Sequence, residues 1–313
     1  MAPMRKLVVL LAALCLASSC GSGGGANAAK DKKDGQYGSD FLTEDKATVP
    51  PPSTTAPARP TTTARHTSPT LGRTPKVGAG PSSSNPYSAA DKQVGFLAGL
   101  VLQPAPAKKV VIEIQAQDGV GPRPAALAHV VAILKRVTGG KTIETPRVAL
   151  PAGPTTWNYD QLADYADRFG KAKSGGDTVV IKAQWVHGSA PSAGTLGGAH
   201  RADLLTMFAD RYKDHEGLAV TVDDLETAII THEFGHMLGL VDLWLNTGRG
   251  DYKSDPAPGG HHSPNKRSVM YYAVETSDLA IVFSGGKPPT EFDADDEADL
   301  AAIRAGAAYG SKR

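Results

Sequence analysis

Apolar positions recur at regular spacing from about residue 90 onwards in this 313-residue chain. Residues 110–115 and 178–186 are rich in β-branched side chains and predict two strands, the second of them buried. Residues 124–137 carry apolar side chains at mostly helical spacing and stop at a Gly-Gly pair, which predicts a helix. The glycine-rich residues 194–200 are expected to be extended.

The helical pattern is strongest over residues 221–240, where Thr221 and Asp224 form a variant of the capping box. A second late helix is expected over residues 293–307, because its first turn is acid-rich, as the helix dipole favours. The order of strand, helix, strands, helix, long loop and helix predicts an α+β fold. About 220 residues fit one domain, which we assign to residues 91–313.

Residues 21–90 have no such pattern, and we interpret them as a spacer. Gly comes first, then Pro, Ser and Thr dominate, with one Val and one Leu between Pro50 and Ser84. This composition buries too little apolar surface to offset the entropy lost on ordering, so disorder is expected. A propeptide is the alternative interpretation.

The first 20 residues predict export. Arg5 and Lys6 precede an apolar run over residues 7–14, which is too short to span a bilayer, since a span needs about 20 residues. Small residues then lead to Cys20, and the pattern resembles a bacterial lipoprotein signal. That resemblance implies lipidation of Cys20 and attachment to the outer face of a membrane by this lipid anchor alone. An ordinary signal peptide, which would give a secreted protein, stays open.

Charge and cysteine content exclude several classes of function. The chain has 33 basic and 32 acidic residues and a net charge of +1, which argues against binding nucleic acid through a global positive field. Its two cysteines are Cys15 and Cys20. A disulfide framework, a thiolate zinc finger and a cysteine nucleophile are therefore excluded after residue 20.

The candidate chemistry lies in the second half of the predicted helix 221–240. His232 and His236 are four residues apart, so their imidazoles share one helix face, about 6 Å apart at Cβ, and can converge on one Zn²⁺. Glu233 can reach a water molecule as general base without becoming a ligand. Gly239 suits the end of the helix, and Asp242 is expected to swing back as the third ligand. The fourth position would hold water, as in a catalytic site.

Two alternatives stay open at this point. His261 and His262, in the long polar loop that follows, are a rival source of the third ligand, although the shorter tether favours Asp242. His232 and His236 could instead lie on an exposed helix face. The apolar residues on both sides of them predict burial, however, and buried imidazoles need partners, which a metal ion supplies.

The segment His-Glu-x-x-His-x-x-Gly-x-x-Asp resembles the metzincin clan of zinc proteases, in particular matrixin-like and snapalysin-like members. The snapalysin group is similar to this chain in using Asp where most metzincins have a third histidine. Residues 268–272, Ser-Val-Met-Tyr-Tyr, resemble the Met-turn of the clan. The resemblance implies that Met270 forms an apolar floor beneath the zinc and that Tyr272 faces the metal and the oxyanion. It also implies a metzincin-like single catalytic domain with a twisted mixed sheet, an active-site helix and a C-terminal helix.

A weaker similarity covers the region before the helix. Residues 187–200 resemble the matrixin region that holds a structural zinc ion and the upper rim of the cleft, although Ser189 stands where an acid is expected. The resemblance implies a second zinc site on His187, His200 and His215, with surface histidines as the alternative. The extended residues 195–200 are expected to pair with the substrate backbone, because their glycines allow close approach.

Together these patterns predict a zinc-dependent endopeptidase that acts on protein or peptide substrates, binds no nucleic acid and is a monomer. Glu233 would take a proton from the attacking water and pass it to the leaving amine. The alternative is a non-catalytic, surface-anchored lipoprotein that binds a metal or a protein on a metzincin-like scaffold. The intact Glu233 favours catalysis, because a decayed site needs no base. The sequence does not indicate a specific substrate.

Overall fold

The computed structural model describes residues 86–90, 92–192, 194–215, 220–247, 261–277 and 286–312. The predicted signal peptide with Cys20, and the predicted spacer up to residue 85, lie outside the described residues. No helix within these described ranges has the length and apolar character needed to cross a membrane.

The described residues form a mixed α/β domain. Its strands are β1 (Lys109–Gln117), β2 (Thr142–Glu144), β3 (Arg147–Leu150), β4 (Thr178–Val186), β5 (Gly197–Arg201) and β6 (Leu204–Phe208). Its helices are α1 (Ala98–Leu102), α2 (Pro124–Val137), α3 (Tyr159–Phe169), α4 (Val222–Met237) and α5 (Ala294–Arg304). Two 3₁₀ segments, Ala209–His215 and Tyr272–Glu275, lie on either side of α4 in the chain.

The strands form one mostly parallel sheet in the order β2, β1, β4, β6, β5, and β3 pairs with the distal part of β1. The strand β5 ends the sheet and is antiparallel to β6, whereas the other pairs are parallel. A mixed sheet was expected, together with the two late helices. The parallel pairing of β1 with β4, across the helices α2 and α3, is α/β in character, whereas the sequence predicted α+β.

The two faces of the sheet are covered differently. Apolar side chains of β1 and β4, such as Ile112 and Ile181, share one core with the inner faces of α2 and α4. The opposite face carries the polar Glu113, Gln115 and Gln184, which are buried beneath α3. Apolar and polar residues seldom alternate along strands that are buried on both faces, as is typical of parallel sheets.

Helix α3 was not predicted from the sequence, although it carries a start signal. Asn158 caps the helix by accepting a hydrogen bond from the backbone N–H of Gln161, and the Gln161 side chain accepts one from the N–H of Asn158. Only Leu162 and Ala166 of α3 are fully buried, so its apolar stripe is narrow. The capping box was therefore the signal that could have identified this helix.

Candidate metal centre

Helix α4 carries its functional side chains into the core. Its start is fixed by Thr221, whose hydroxyl accepts from the N–H of Asp224 while the Asp224 carboxylate accepts from the N–H of Thr221. From Ala228 to Met237 every residue of the helix is buried. The helix predicted over residues 221–240 is therefore present, but it ends at Met237, three residues before the predicted end.

The helix ends in a strained turn next to the centre. Gly239 adopts a φ of +82°, where a Cβ atom would approach Cβ of Trp244 to 2.4 Å. Val241 and Asp242 follow with φ values of +54° and +64°. Left-handed backbone is strained for a β-branched residue such as Val241, and such strain persists where the surrounding structure imposes it.

His232 and His236 face each other at the end of α4. Their Nε2 atoms are 3.0 Å apart. The Nδ1 atom of His232 lies 2.7 Å from the carbonyl oxygen of Val269, so Nδ1 carries the proton and the Nε2 atom of His232 is left with a lone pair. A hydrogen bond to a backbone carbonyl is the usual way of orienting a metal-binding imidazole.

Two residues outside α4 complete the cluster. One ligand atom from each of His232, His236, His262 and Glu275 lies within 4.8 Å of the others. The Nε2 atom of His262 is 3.1 Å from Oε1 of Glu275, and Nε2 of His232 is 3.8 Å from Oε2 of Glu275. Ligands at about 2.0–2.1 Å from a tetrahedral zinc ion are about 3.3 Å from one another, so these separations fit zinc.

Burial keeps the imidazoles of α4 neutral, as metal binding requires. Burial lowers the pKa of His232 to about 4, against the opposing charge of Glu275. Burial also lowers the pKa of His236 well below its ordinary value, and the neighbouring His232 and His262 add to the effect. The Nδ1 atom of His236 is buried and has no hydrogen-bond partner among the residues that the structure describes.

Asp242, the third ligand expected from the sequence, is not part of this cluster. Its Oδ1 atom accepts hydrogen bonds from the backbone N–H and the hydroxyl of Thr247, both at 3.0 Å, which ties the carboxylate to the following loop. His262, the rival candidate, is the residue that the structure brings to His232 and His236. The length of the tether was a poor guide, because Thr247 engages the Asp242 carboxylate and His262 converges with the two histidines instead.

Glu233 lies beside the two histidines and beneath β5. A Cβ atom on Gly197 would approach the Glu233 carboxylate to 3.3 Å, so glycine at this position lets β5 pack directly on the side chain. Burial raises the pKa of Glu233 well above its ordinary value, and the charge of Glu275 adds to this, while a hydrogen bond from the backbone of Ala199 opposes it. The carboxylate therefore has a high affinity for a proton.

Met270 lies against α4 between the two histidine turns. It is fully buried, and a Cβ atom on Gly235 would come within 2.2 Å of its sulfur atom. The residue before it, Val269, supplies the carbonyl that orients His232. Its own N–H donates to the hydroxyl of Ser268, which donates to the buried carboxylate of Asp296 on α5. The C-terminal helix thus holds the segment that orients a candidate ligand.

Tyr272 begins the 3₁₀ segment that ends at Glu275. Its ring packs on that of Tyr271, with 4.8 Å between centroids. No described contact joins the Tyr272 hydroxyl to the histidine cluster, so its role at the oxyanion stays a prediction.

The structure does not bring together the three histidines expected for a second zinc site. His187 is exposed, with its Nδ1 atom 2.9 Å from Asp210 and its Nε2 atom 2.8 Å from the Asp118 carbonyl. Burial lowers the pKa of His200 to about 3, and its ring packs 4.6 Å from that of Tyr159. Among the described residues, His187, His200 and His215 form no group of converging ligand atoms.

In comparisons with known proteins, the chain is similar to archaemetzincin from Methanopyrus kandleri, at 16% identity over 64% of this chain and 97% of that one, with a TM-score of 0.41. Archaemetzincin from Archaeoglobus fulgidus is 13% identical over 61% of this chain and 99% of its own, with a TM-score of 0.35. Myroilysin is 13% identical over 64% and 94%, with a TM-score of 0.27. No protein-family model matches the chain, and no curated protein matches it. Its function must therefore be inferred from its own side chains.

Glu275 is the residue of the cluster that the sequence did not indicate. It lies five positions after Met270, in a stretch without a metal-binding pattern. Its carboxylate reaches the histidines because the 3₁₀ segment that ends at Glu275 packs against α4. No signal in the sequence alone could have placed it there.

Proposed function

We propose that this protein is a zinc-dependent endopeptidase with His232, His236 and His262 as metal ligands and Glu233 as general base. One observation carries the proposal, namely the 3.0 Å approach of two buried, neutral imidazole nitrogens next to a buried glutamate. Two Nε2 atoms at this distance share either the proton of a neutral His236 or a cation that both lone pairs bind, and the second arrangement is the one we propose. A cation that binds both nitrogens and lies beside a basic carboxylate is typical of metal-assisted hydrolysis.

Each residue of the site has a separate proposed role in hydrolysis. Zinc, when bound, would polarise the scissile carbonyl and lower the pKa of water toward about 7. Glu233 takes a proton from the attacking water and delivers it to the leaving amine. Its raised pKa suits it to both steps. Val269 keeps His232 in the tautomer that presents Nε2, and Tyr272 is proposed as a further donor to the oxyanion.

The strand β5 is the proposed binding edge for substrate. It ends the sheet and packs on Glu233, so a peptide paired with it would cross the base. Pairing through main-chain hydrogen bonds tolerates many sequences, which fits an endopeptidase. We propose a functional resemblance to the matrixin-like and snapalysin-like metzincins, on the motif and the Met-turn segment in the sequence, with His262 in place of the Asp ligand of the snapalysin group.

Export and attachment through a lipidated Cys20 complete the proposal, with the enzyme acting as a monomer at the cell surface. Mass spectrometry of the mature N-terminus tests the anchor, because a diacylated cysteine has a mass that an unmodified terminus lacks. An alkylatable Cys20 thiol without lipid would contradict it.

The test of hydrolysis compares the full chain with Glu233→Gln on casein and on a peptide library, with and without a zinc chelator. We expect Glu233→Gln to retain zinc and to lose about three orders of magnitude of activity, as removal of a general base does. Glu226→Gln is the matched control, since Glu226 is buried on the same helix but hydrogen-bonded to Arg123 and Trp185. Equal activity in Glu233→Gln and wild type would contradict the role of Glu233.

A second function is favoured by one observation. Four protein ligands around one point form a closed site, and closed zinc sites are commonly structural. A non-catalytic metal-binding protein would retain zinc in all these variants and hydrolyse nothing. The same assay therefore separates the two functions.

A further inference from the structure

Glu275 extends into the histidine cluster from the segment that follows Met270. Its Oε1 and Oε2 atoms lie 3.1 Å from Nε2 of His262 and 3.8 Å from Nε2 of His232. One ligand atom of Glu275 lies within 4.8 Å of one ligand atom from each of His232, His236 and His262. A carboxylate held between two imidazoles in a buried cluster is a strong candidate for direct coordination.

The three separations of 3.0, 3.1 and 3.8 Å between atoms of these residues are close to those between ligands of one zinc ion. Zinc binds imidazole nitrogen and carboxylate oxygen at nearly equal distances, so four such ligands lie about 3.3 Å from one another. Three histidines would supply three of the four ligands, and Glu275 would take the position that a catalytic site keeps for water or substrate.

The backbone around Glu275 is attached to the approach to β5. The N–H of Leu196 donates to the Glu275 carbonyl at 2.9 Å, and the N–H of Ser277 donates to the Gly194 carbonyl at 2.8 Å. Thr195 and Thr276 form an antiparallel bridge between these bonds. We call residues 194–196 and 275–277 together the clasp. The clasp uses backbone groups at the start of the edge that a substrate peptide would need.

From this geometry we propose that Glu275 is the fourth protein ligand of the metal and that it leaves when a peptide takes the place of the clasp along β5. The inference rests on the proposed function. Peptide binding would replace the hydrogen bonds of residues 194–196 and withdraw Glu275, and its carboxylate oxygen would be exchanged for a water oxygen. The clasp thereby couples substrate binding to the opening of the site.

The test uses the full chain and Glu275→Gln, with Glu144→Gln as control on β2, at the opposite end of the sheet from β5. Zinc affinity is measured by competition with a chromogenic chelator. Access to the ligand position that Glu275 would occupy is measured as the affinity of the cobalt-substituted protein for acetohydroxamate, followed in its visible spectrum. For Glu275→Gln we expect zinc affinity at least about 10-fold weaker. We expect acetohydroxamate to bind about 10-fold more tightly, and peptide hydrolysis at saturating zinc to be faster.

A second variant keeps the test decisive if Glu275→Gln folds poorly. Glu275→Asp preserves the charge but shortens the side chain by one methylene, so it should shift both affinities in the same direction. Zinc and acetohydroxamate affinities equal to those of wild type in both variants would overturn the ligand assignment. Loss of hydrolysis with unchanged zinc affinity would overturn it too, and would make Glu275 a residue of the reaction. Shifted affinities with no hydrolysis in any protein would support the ligand assignment and refute the endopeptidase.

Discussion

Two buried polar clusters in this domain differ in how completely their hydrogen-bonding groups are satisfied. The sheet cluster, between the sheet and α3, consists of Glu113, Gln115, Gln184 and Thr206. Thr206 donates to Gln184, Gln184 donates to Gln115, and Gln115 donates to Glu113, with separations of 2.8 to 3.2 Å. Backbone groups complete the chain, since the N–H of Lys171 donates to Glu113 and the Ala166 carbonyl accepts from Gln115.

The histidine cluster at the end of α4 is satisfied less completely, because the buried Nδ1 atom of His236 has no hydrogen-bond partner among the described residues. His232 uses its one proton on Val269, so its Nε2 atom faces the Nε2 atom of His236 as an acceptor. Glu233 and Glu275 add two further acidic groups to the same volume. Buried polar groups in native proteins are almost always satisfied, and exceptions point to an absent ion or to function. The contrast indicates that the sheet cluster maintains the fold, and it supports the proposal that the histidine cluster binds a cation.

The largest expected effect concerns the third ligand. His262→Ala should weaken zinc binding on the order of 1,000-fold, because loss of an indirect partner of a ligand alone costs 10–100-fold. Asp242→Asn is the matched control and should change zinc affinity by less than about threefold, since its Oδ1 atom is engaged by Thr247. Chelator competition on both variants measures this. The reverse order of effects would restore Asp242 as the ligand.

A smaller effect is expected from Glu226, a buried carboxyl group on α4 that accepts hydrogen bonds from Arg123 and Trp185. Burial raises its pKa from 4.5 to about 7. The folded state then holds the proton more tightly than the unfolded state, so its contribution to stability is present at low pH and is lost as pH rises through this range. The difference in free energy of unfolding between Glu226→Gln and wild type should shift in favour of the variant by on the order of 3 kcal/mol between about pH 4 and about pH 8. Urea unfolding of both proteins in chelator measures this. Parallel pH profiles would argue against it.

The smallest effect tests the sheet cluster. Thr206→Val removes the hydroxyl that donates a hydrogen bond to Oε1 of Gln184. Loss of this bond should lower the free energy of unfolding by about 1 kcal/mol. Zinc affinity should not change, because the cluster lies on the far face of the sheet from α4. Urea unfolding and chelator competition on one preparation test both statements. A joint loss of stability and zinc affinity would show that the two clusters are coupled.

The sequence predicted the elements whose signals are local. The strands β1 and β4 and the helix α2 follow from β-branched runs and apolar spacing, and the positions of His232 and His236 follow from helical geometry. The short strands β2 and β3 carry no comparable run, and α3 shows only a narrow stripe. The predicted third ligand depended on how the chain turns after Gly239, where Asp242 and Val241 adopt left-handed backbone, which β-branched residues such as Val241 disfavour. Glu275 depended on a fold-back that only tertiary contacts specify.

Zinc content of the purified full chain tests the central claim most directly. Elemental analysis after exposure to zinc and removal of excess should find about one ion per chain in wild type and in Glu233→Gln. The His232→Ala/His236→Ala double variant should retain none. A wild-type protein that is metal-free and unable to take up zinc would contradict the account, because the facing imidazoles would then have no cation to hold.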